Sequence, residues 1–214
     1  MKKFWVLFGL FILPLVFYIF LLTGTNNFAK LPVLTEKVSD VTHLASQDAD
    51  TISLEGKINI LCFFGDDLQK VKNNAFNLNE KIYKHFYKFK DFQFVVVLPN
   101  GTEDQAENLK KELGFITDMQ KWRFMYGTPE EISELFDSLQ TTYRLNANSY
   151  SPYAFIIDKN MDLRGRTSDE DSVESLMYGY NAETVAPIHK KMVDDVKVLV
   201  AEYRLALKKN KREI

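Results

Sequence analysis

A continuous apolar run, Ile58–Phe64, lies between Gly56 and Gly65 near the middle of the chain. An unbroken run of this kind with a glycine on each side is typical of a central strand covered on both faces. Asp66 or Asp67 comes next and can cap the N-terminus of a helix. The sequence therefore predicts a buried strand, a tight turn and the start of a helix, and the rest of the chain is interpreted around them.

Apolar residues after this turn recur at three- and four-residue spacing, which indicates one buried stripe on a helix of about 20 residues. The stripe consists of Leu68, Val71, Ala75, Leu78, Ile82 and Phe86. It predicts that the helix packs along its whole length on the sheet that contains Ile58–Phe64.

The remaining elements alternate in type along the chain. Strands are predicted at Phe92–Leu98, Trp122–Tyr126, Tyr153–Ile157 and Leu163–Thr167. Helices are predicted at Glu103–Leu113, from Thr128 with a Thr128–Glu131 capping box, and along a long final stripe from Val185 to Leu207 that Pro187 can bend. Strands separated by helices predict a parallel sheet between helical layers, and the closing hairpin adds an antiparallel edge.

The first residues are apolar from Phe4 to Leu22, long enough to cross a bilayer. A cleaved signal peptide is the alternative, but its apolar region is usually shorter and no small-residue cleavage site follows Leu22. Lys2 and Lys3 precede the span, so the positive-inside rule places the N-terminus in the cytoplasm. We expect a single-pass anchor in the cell inner membrane, with the rest of the chain periplasmic.

Three segments follow from this organisation. Residues 1–23 form the transmembrane anchor, residues 24–51 a tether and N-terminal extension, and residues 52–214 the folded domain. Short strands are expected in the extension at Val33–Leu34 and Val38–Val41.

Cysteine content and charge exclude several classes of function. Cys62 is the single cysteine, so neither an internal disulfide nor a Cys-x-x-Cys redox site exists. Its place inside the predicted strand favours a small buried side chain over a reactive thiol. The formal net charge of -2 gives no electrostatic case for binding nucleic acid.

Four local sequences stand out along this order of elements: Leu54-Glu-Gly-Lys57 before the strand, Phe64-Gly65 at the turn, Trp122-Arg-Phe-Met-Tyr-Gly-Thr-Pro-Glu-Glu131, and Phe155-Ile-Ile-Asp-Lys-Asn with Leu163-Arg-Gly165. Together with the order itself, they resemble the Sco/SenC family of membrane-anchored copper chaperones. The similarity covers roughly residues 31–208. It implies a thioredoxin-like fold, a central mixed sheet flanked by helices, behind one N-terminal transmembrane helix.

The chain departs from this family where the family binds copper. Aligned on the motifs, the two cysteines of the family's Cys-x-x-x-Cys fall on Gln69 and Asn73, and its histidine falls on Tyr150. Amide and phenol groups do not replace thiolates for Cu(I), and they cannot attack a disulfide. No catalytic, cofactor-binding or metal-binding residue is therefore predicted, and we expect no enzyme activity.

Weaker candidate sites have simpler explanations. His43, His85 and His189 are far apart in sequence, and Met119, Met125, Met161 and Met177 are scattered. Asp66 and Asp67 with Asp169, Glu170 and Asp171 could hold a divalent cation, or act only as a helix cap and a solvated loop. The basic tail, Lys208–Arg212, could contact anionic lipid or a partner, or end a solvated helix.

The sequence thus favours a non-catalytic binding or assembly factor for a respiratory complex, with cytochrome c oxidase implied by the resemblance and no cofactor. The expected partner face is Gly65, Asp66, Asp67, Gln69, Asn73, Tyr150 and Pro152. A cis Ser151–Pro152 bond, as at the corresponding strand of thioredoxin folds, would mean that the shape of the old active-site face survives; an ordinary trans loop proline is the alternative. An active copper chaperone or thiol–disulfide oxidoreductase that uses Cys62 is the alternative function.

Overall fold

A computed structural model describes residues 2–23, 30–48, 50–168 and 176–210 of the chain. Eight strands form one sheet. They are β1 (Val33–Thr35), β2 (Ala45–Ser46), β3 (Ile58–Phe64), β4 (Phe92–Pro99), β5 (Trp122–Gly127), β6 (Tyr150–Ile157), β7 (Leu163–Arg164) and β8 (Tyr180–Asn181).

The sheet is mixed, with β3 at its centre. The strand order is β1-β7-β6-β3-β4-β5-β2, and β8 also pairs with β6. Strands β3, β4 and β5 are parallel, whereas β6 runs antiparallel to β3. The prediction of parallel pairing for every strand that follows a helix was therefore wrong for β6. After the helix that follows β5, the chain returns to the end of the sheet where β5 finishes. Strand β6 therefore starts at that end and runs opposite to β3, β4 and β5.

Seven helices are described: α1 (Lys2–Thr23), α2 (Leu68–Leu78), α3 (Lys84–Phe86), α4 (Glu103–Gly114), α5 (Pro129–Asp137), α6 (Val185–Pro187) and α7 (Val193–Asn210). Helices α2, α4 and α7 pack on one face of the sheet and α5 on the other, whereas α1 is not buried against it. A π-helical turn at Asn79–Tyr83 joins α2 to α3, and a second at Ile188–Met192 joins α6 to α7. The long helix predicted from Leu68 to Phe86 is thus present without a gap, but its middle turn is π-helical rather than α-helical.

Two cores result from the alternation of side chains along β3. Ile58, Ile60, Cys62 and Phe64 face α2, α4 and α7, while Leu61 and Phe63 face α5 and the N-terminal extension. All seven residues of β3 are buried. The thioredoxin-like α/β class predicted from the sequence is confirmed.

Two short segments differ from their predictions. Residues 38–41 form no strand, although Val38 and Val41 are buried against the second core. The Asp40 carboxylate accepts hydrogen bonds from Val41 N and Leu54 N, which fixes a turn instead. Strand β7 covers only two residues, because the chain then turns towards an isolated bridge between Arg166 and Met177.

The N-terminal helix α1 is long and apolar enough to cross a membrane. A window from Lys3 to Phe20 meets the length and composition of a span, and none of it is buried against the protein. At about 1.5 Å per residue, the 22 residues of α1 extend roughly 33 Å, which matches a bilayer core. The division of the chain at residues 23 and 51 remains a prediction, and residues 24–29 and 49 lie outside the described part.

Candidate functional site: a cleft at the end of the central strand

A cleft of about 410 Å³ opens where β3 ends and α2 begins. Its floor and walls come from the β3–α2 turn, the first turn of α2, the loop before β6 and the segment after β8. The lining residues are Phe64, Gly65, Asp66, Asp67, Lys70, Val71, Asn146, Asn148, Tyr150 and Glu183. This is the end of the sheet that the sequence predicted to carry the site.

Gly65 sets the shape of the turn. Its φ is +70°, a conformation that residues with a side chain rarely adopt. A Cβ at this position would lie 2.8 Å from the carbonyl oxygen of Asn148 and 2.9 Å from Cβ of Tyr150. Glycine therefore allows the turn to pack directly against the loop before β6.

That loop is held by the side chain of Asn146. Its Oδ1 accepts hydrogen bonds from Asn148 N at 2.9 Å and Tyr150 N at 3.0 Å. Asn148 in turn donates through Nδ2 to both carboxylate oxygens of Asp66, at 2.8 and 3.0 Å. The loop and the turn after β3 are thereby joined across the mouth of the cleft.

Tyr150 joins β6 to two of the elements around the cleft. Its hydroxyl donates to Glu183 Oε1 at 2.8 Å and accepts from Asn74 Nδ2 of α2 at 2.9 Å. Burial, followed by the hydrogen bond to the Glu183 carboxylate, raises the pKa of Tyr150 to about 12. The phenol is therefore neutral at physiological pH and acts as a hydrogen-bonding bridge rather than a base.

The N-terminus of α2 is fixed from two sides. Asp67 caps the helix by accepting from Lys70 N, and it also pairs with the Lys70 ammonium at 2.9 Å. Gln105 of α4 accepts from Leu68 N and donates to the carbonyl of Asp66. The predicted cap is thus confirmed for Asp67, and α4 supports the turn from outside the cleft.

The structure brings together only part of the predicted face. Gly65, Asp66, Asp67 and Tyr150 line the cleft, whereas Gln69 and Asn73 are exposed on α2 outside it. Pro152 lies in β6, half-buried, and its peptide bond is trans, so the cis alternative was wrong.

Four lining residues with polar side chains were missed by the sequence reasoning: Lys70, Asn146, Asn148 and Glu183. Lys70 was available from helical spacing, because it follows the capping residue by one turn. The other three come from loops distant in sequence from α2 and carried no recognisable signal.

The donor atoms of the cleft do not fit copper. Carboxylates, amides, one phenol and one ammonium line it, and Cu(I) selects sulfur. Cys62 is 1% exposed in the core and is not among the lining residues, and burial raises the pKa of its thiol. A thiol that resists ionisation is a poor nucleophile and a poor metal ligand.

The weaker candidates do not form a cluster. His43 lies in a loop, His85 in α3 and His189 in the second π turn. Over the described ranges, no three His, Cys, Asp or Glu side chains are grouped so as to hold a metal ion. Met119, Met125 and Met177 are core residues and Met161 packs against the second core, while Asp169, Glu170 and Asp171 lie outside the described residues.

Comparison with solved structures identifies similar folds. The chain superposes on BsSco, described as a member of the Sco family of cytochrome c oxidase assembly proteins, with a TM-score of 0.57 at 14% identity over 80% of this chain and 98% of that one. It also superposes on a SCO1/SenC family lipoprotein from Bacillus anthracis str. Ames, with a TM-score of 0.53 at 19% identity over 80% and 99% of the two chains.

No protein-family model matches the chain, and no curated protein matches it either. At these identities, the likeness to solved structures establishes the fold alone. Members of the Sco/SenC family are among these structural neighbours, so the resemblance inferred from local motifs is confirmed for the fold.

Proposed function

We propose that this protein is a membrane-anchored, extracytoplasmic binding or assembly factor of Sco type whose metal and redox site has been lost. The observation that carries the proposal is the cleft after β3. It has an open volume and a hydrogen-bonded wall, but its lining contains no sulfur. Such a surface suits recognition of a protein segment better than metal transfer or electron exchange.

The proposed process is the assembly of a respiratory complex, with cytochrome c oxidase as the complex. Its support is the likeness to BsSco, whose family is described as assembling that oxidase. The proposed location is the inner membrane with α1 as the anchor, the N-terminus in the cytoplasm and the sheet domain in the periplasm. The support for this location is the apolar length of α1 and the position of Lys2 and Lys3 before it.

The experiment is capture of partners by the full chain from detergent-solubilised membranes. Lys70→Trp would fill the cleft, whereas Gln69→Trp places the same ring on the neighbouring exposed position of α2, outside the cleft. We expect wild type and Gln69→Trp to retain an oxidase subunit or another envelope protein. Lys70→Trp should capture about tenfold less of that partner. Equal capture by both variants, or no envelope partner at all, would contradict the proposal.

A Cu(I) titration of the purified full chain separates this proposal from an active copper chaperone or thiol enzyme. We expect no stoichiometric binding in wild type, and no reaction of Cys62 with a thiol reagent until the domain unfolds. The burial of the thiol is the reason. Tight one-to-one binding that Cys62→Ala abolishes would support the chaperone function instead.

A further inference from the structure

The segment from the end of the first π turn through α3 to the turn before β4 concentrates positive charge and aromatic surface. Residues 81–90 read Lys-Ile-Tyr-Lys-His-Phe-Tyr-Lys-Phe-Lys and contain no acidic residue. Lys84, Lys88 and Lys90 are exposed, and the rings of Tyr87 and Phe89 are half-buried between them.

The end of α7 adds to the same surface. The Arg204 guanidinium lies 5.5 Å from the centre of the Phe89 ring, and the Lys159 ammonium lies 5.8 Å from that ring and 5.2 Å from the Tyr203 ring. Lys121 donates to the carbonyl of Phe89 at 2.6 Å. We call Lys84, Tyr87, Lys88, Phe89, Lys90 and Arg204 the basic–aromatic patch.

Neighbouring carboxylates neutralise only part of this charge. Glu80 pairs with Lys84 at 3.0 Å, and Asp91 pairs with Lys159 at 2.5 Å. In the described part of the chain, Lys88, Lys90 and Arg204 have no carboxylate within ion-pair distance. The sequence beyond Arg204 continues with four more basic residues and no acidic one as far as Arg212. Because the whole chain carries a formal charge of only -2, the positive charge of this surface is a local excess.

The patch lies at the end of the sheet opposite the cleft. Phe89 precedes β4, whose first residue Phe92 is paired with Ile58 at the start of β3. The cleft follows Phe64 at the other end of the same strand. At about 3.3 Å per residue, the two surfaces are roughly 20 Å apart along β3.

We propose that the basic–aromatic patch binds the anionic headgroups of the bilayer that α1 spans. Each lysine or arginine near an anionic surface strengthens such binding about fivefold. Aromatic rings between the cations favour lipid over an acidic protein, because half-buried aromatic side chains partition into the bilayer interface. The inference rests on α1 being an uncleaved anchor, which holds the domain close enough to the lipid for weak contacts to form.

The length of chain between α1 and the domain permits this contact. Thr23 and Leu31 are separated by eight peptide units, which reach at most about 29 Å. The carbonyl of Leu31 accepts a hydrogen bond from the Arg164 side chain. Arg164 is paired with Ile156, and Ile156 is paired with Ile60, so Leu31 is anchored near the level of Ile60 along β3. This level is within roughly 20 Å of the patch, so the patch can reach the headgroups. The cleft then opens away from the bilayer.

The test uses the full chain reconstituted into nanodiscs of phosphatidylcholine alone or mixed with phosphatidylglycerol. Acetylation rates of individual lysines are measured by mass spectrometry. We expect Lys84, Lys88 and Lys90 to react several-fold more slowly in the anionic discs, and Lys110 and Lys111 of α4 to react equally in both. Equal rates for the patch lysines in both discs would overturn the proposal.

Matched variants separate the patch from net charge. In Lys88→Gln with Lys90→Gln, protection of Lys84 in anionic discs should be lost, since removing two cations weakens the contact about thirtyfold. In Lys110→Gln with Lys111→Gln, which removes the same charge elsewhere, that protection should remain. Equal loss in both variants would overturn the proposal. The proposal would also be overturned if polyglutamate protected the patch lysines in neutral discs and anionic lipid did not, because the patch would then bind an acidic protein.

Discussion

Gly65 is the residue on which the cleft wall depends, and its replacement gives a direct test. Gly65→Ala combines a disfavoured positive φ with contacts of 2.8 and 2.9 Å to the loop before β6. We expect the free energy of unfolding to fall by about 2–5 kcal/mol. Urea unfolding of the full chain in detergent measures this change.

Gly56 supplies the matched control. Its φ is +75°, but a Cβ added there would meet nothing within 4 Å. Gly56→Ala should therefore show only the backbone term, about 1–2 kcal/mol. If the two variants lose equal stability, the close packing of Gly65 against Asn148 and Tyr150 is not what fixes the turn.

Tyr150 bridges α2 and the segment after β8 through its hydroxyl alone. Tyr150→Phe leaves Asn74 Nδ2 without its acceptor in a site where Asn74 is 4% exposed. We expect a loss of about 1–3 kcal/mol in the free energy of unfolding, measured with urea. Tyr87→Phe is the control, because no described group hydrogen-bonds to the Tyr87 hydroxyl. An equal effect in the control would show that the bridge contributes nothing.

The raised pKa of Tyr150 also predicts a pH dependence. A tyrosine with a pKa of about 12 in the folded state keeps its proton above the pH at which the unfolded chain loses it. Its contribution to stability is therefore complete below about pH 10 and is lost as the pH rises towards 12. Urea unfolding across this range should show a steeper decline for wild type than for Tyr150→Phe. Parallel curves would contradict the assignment.

At the scale of elements, the π turn at Asn79–Tyr83 contains an unusual buried group. Asn79 is fully buried, and neither atom of its amide has a hydrogen-bond partner in the described structure. We expect Asn79→Leu to raise the free energy of unfolding by about 1–3 kcal/mol, because a buried unpaired amide is destabilising. Asn74→Leu should do the opposite, since that amide donates to Tyr150. A loss of stability in Asn79→Leu would mean that the amide has a partner such as a buried water.

Elements with a local cause could be predicted from the sequence. The Thr128–Glu131 capping box forms as expected, with both of its hydrogen bonds present. The stripe from Leu68 to Phe86 forms a helix, although its π turn leaves no trace in the spacing of apolar residues. The antiparallel direction of β6 was missed, because it depends on the path of a loop rather than on any residue within the strand.

The candidate site could be located from the sequence but not assembled. The glycine turn after β3 was evident from the sequence. Asn148 and Glu183 were not, because Asn148 is 82 residues from its partner Asp66 and Glu183 is 33 residues from its partner Tyr150. No periodicity links such positions. Aligning the family's two cysteines on the Phe64-Gly65 motif selected Gln69 and Asn73. In the structure, however, α2 presents Lys70 and Asn74 to the cleft region instead.

At the scale of the whole molecule, the cleft and the basic–aromatic patch occupy opposite ends of the sheet. Roughly 20 Å of β3 separates them, and neither shares a residue with the other. Changes at sites this far apart without common partners are usually additive. If the patch orients the domain and the cleft holds a partner, each surface should therefore be removable without loss of the other.

Crossing the two sets of variants tests this arrangement. Lys70→Trp should abolish partner capture and leave protection of Lys84 in anionic nanodiscs unchanged. Lys88→Gln with Lys90→Gln should remove that protection and leave capture from detergent intact, because no bilayer is present there to orient the domain. In native membranes before solubilisation, however, the lysine variants should show reduced crosslinking to the same partner, since the cleft is no longer directed away from the lipid. Loss of capture in detergent by the lysine variants would show instead that the patch itself binds the partner.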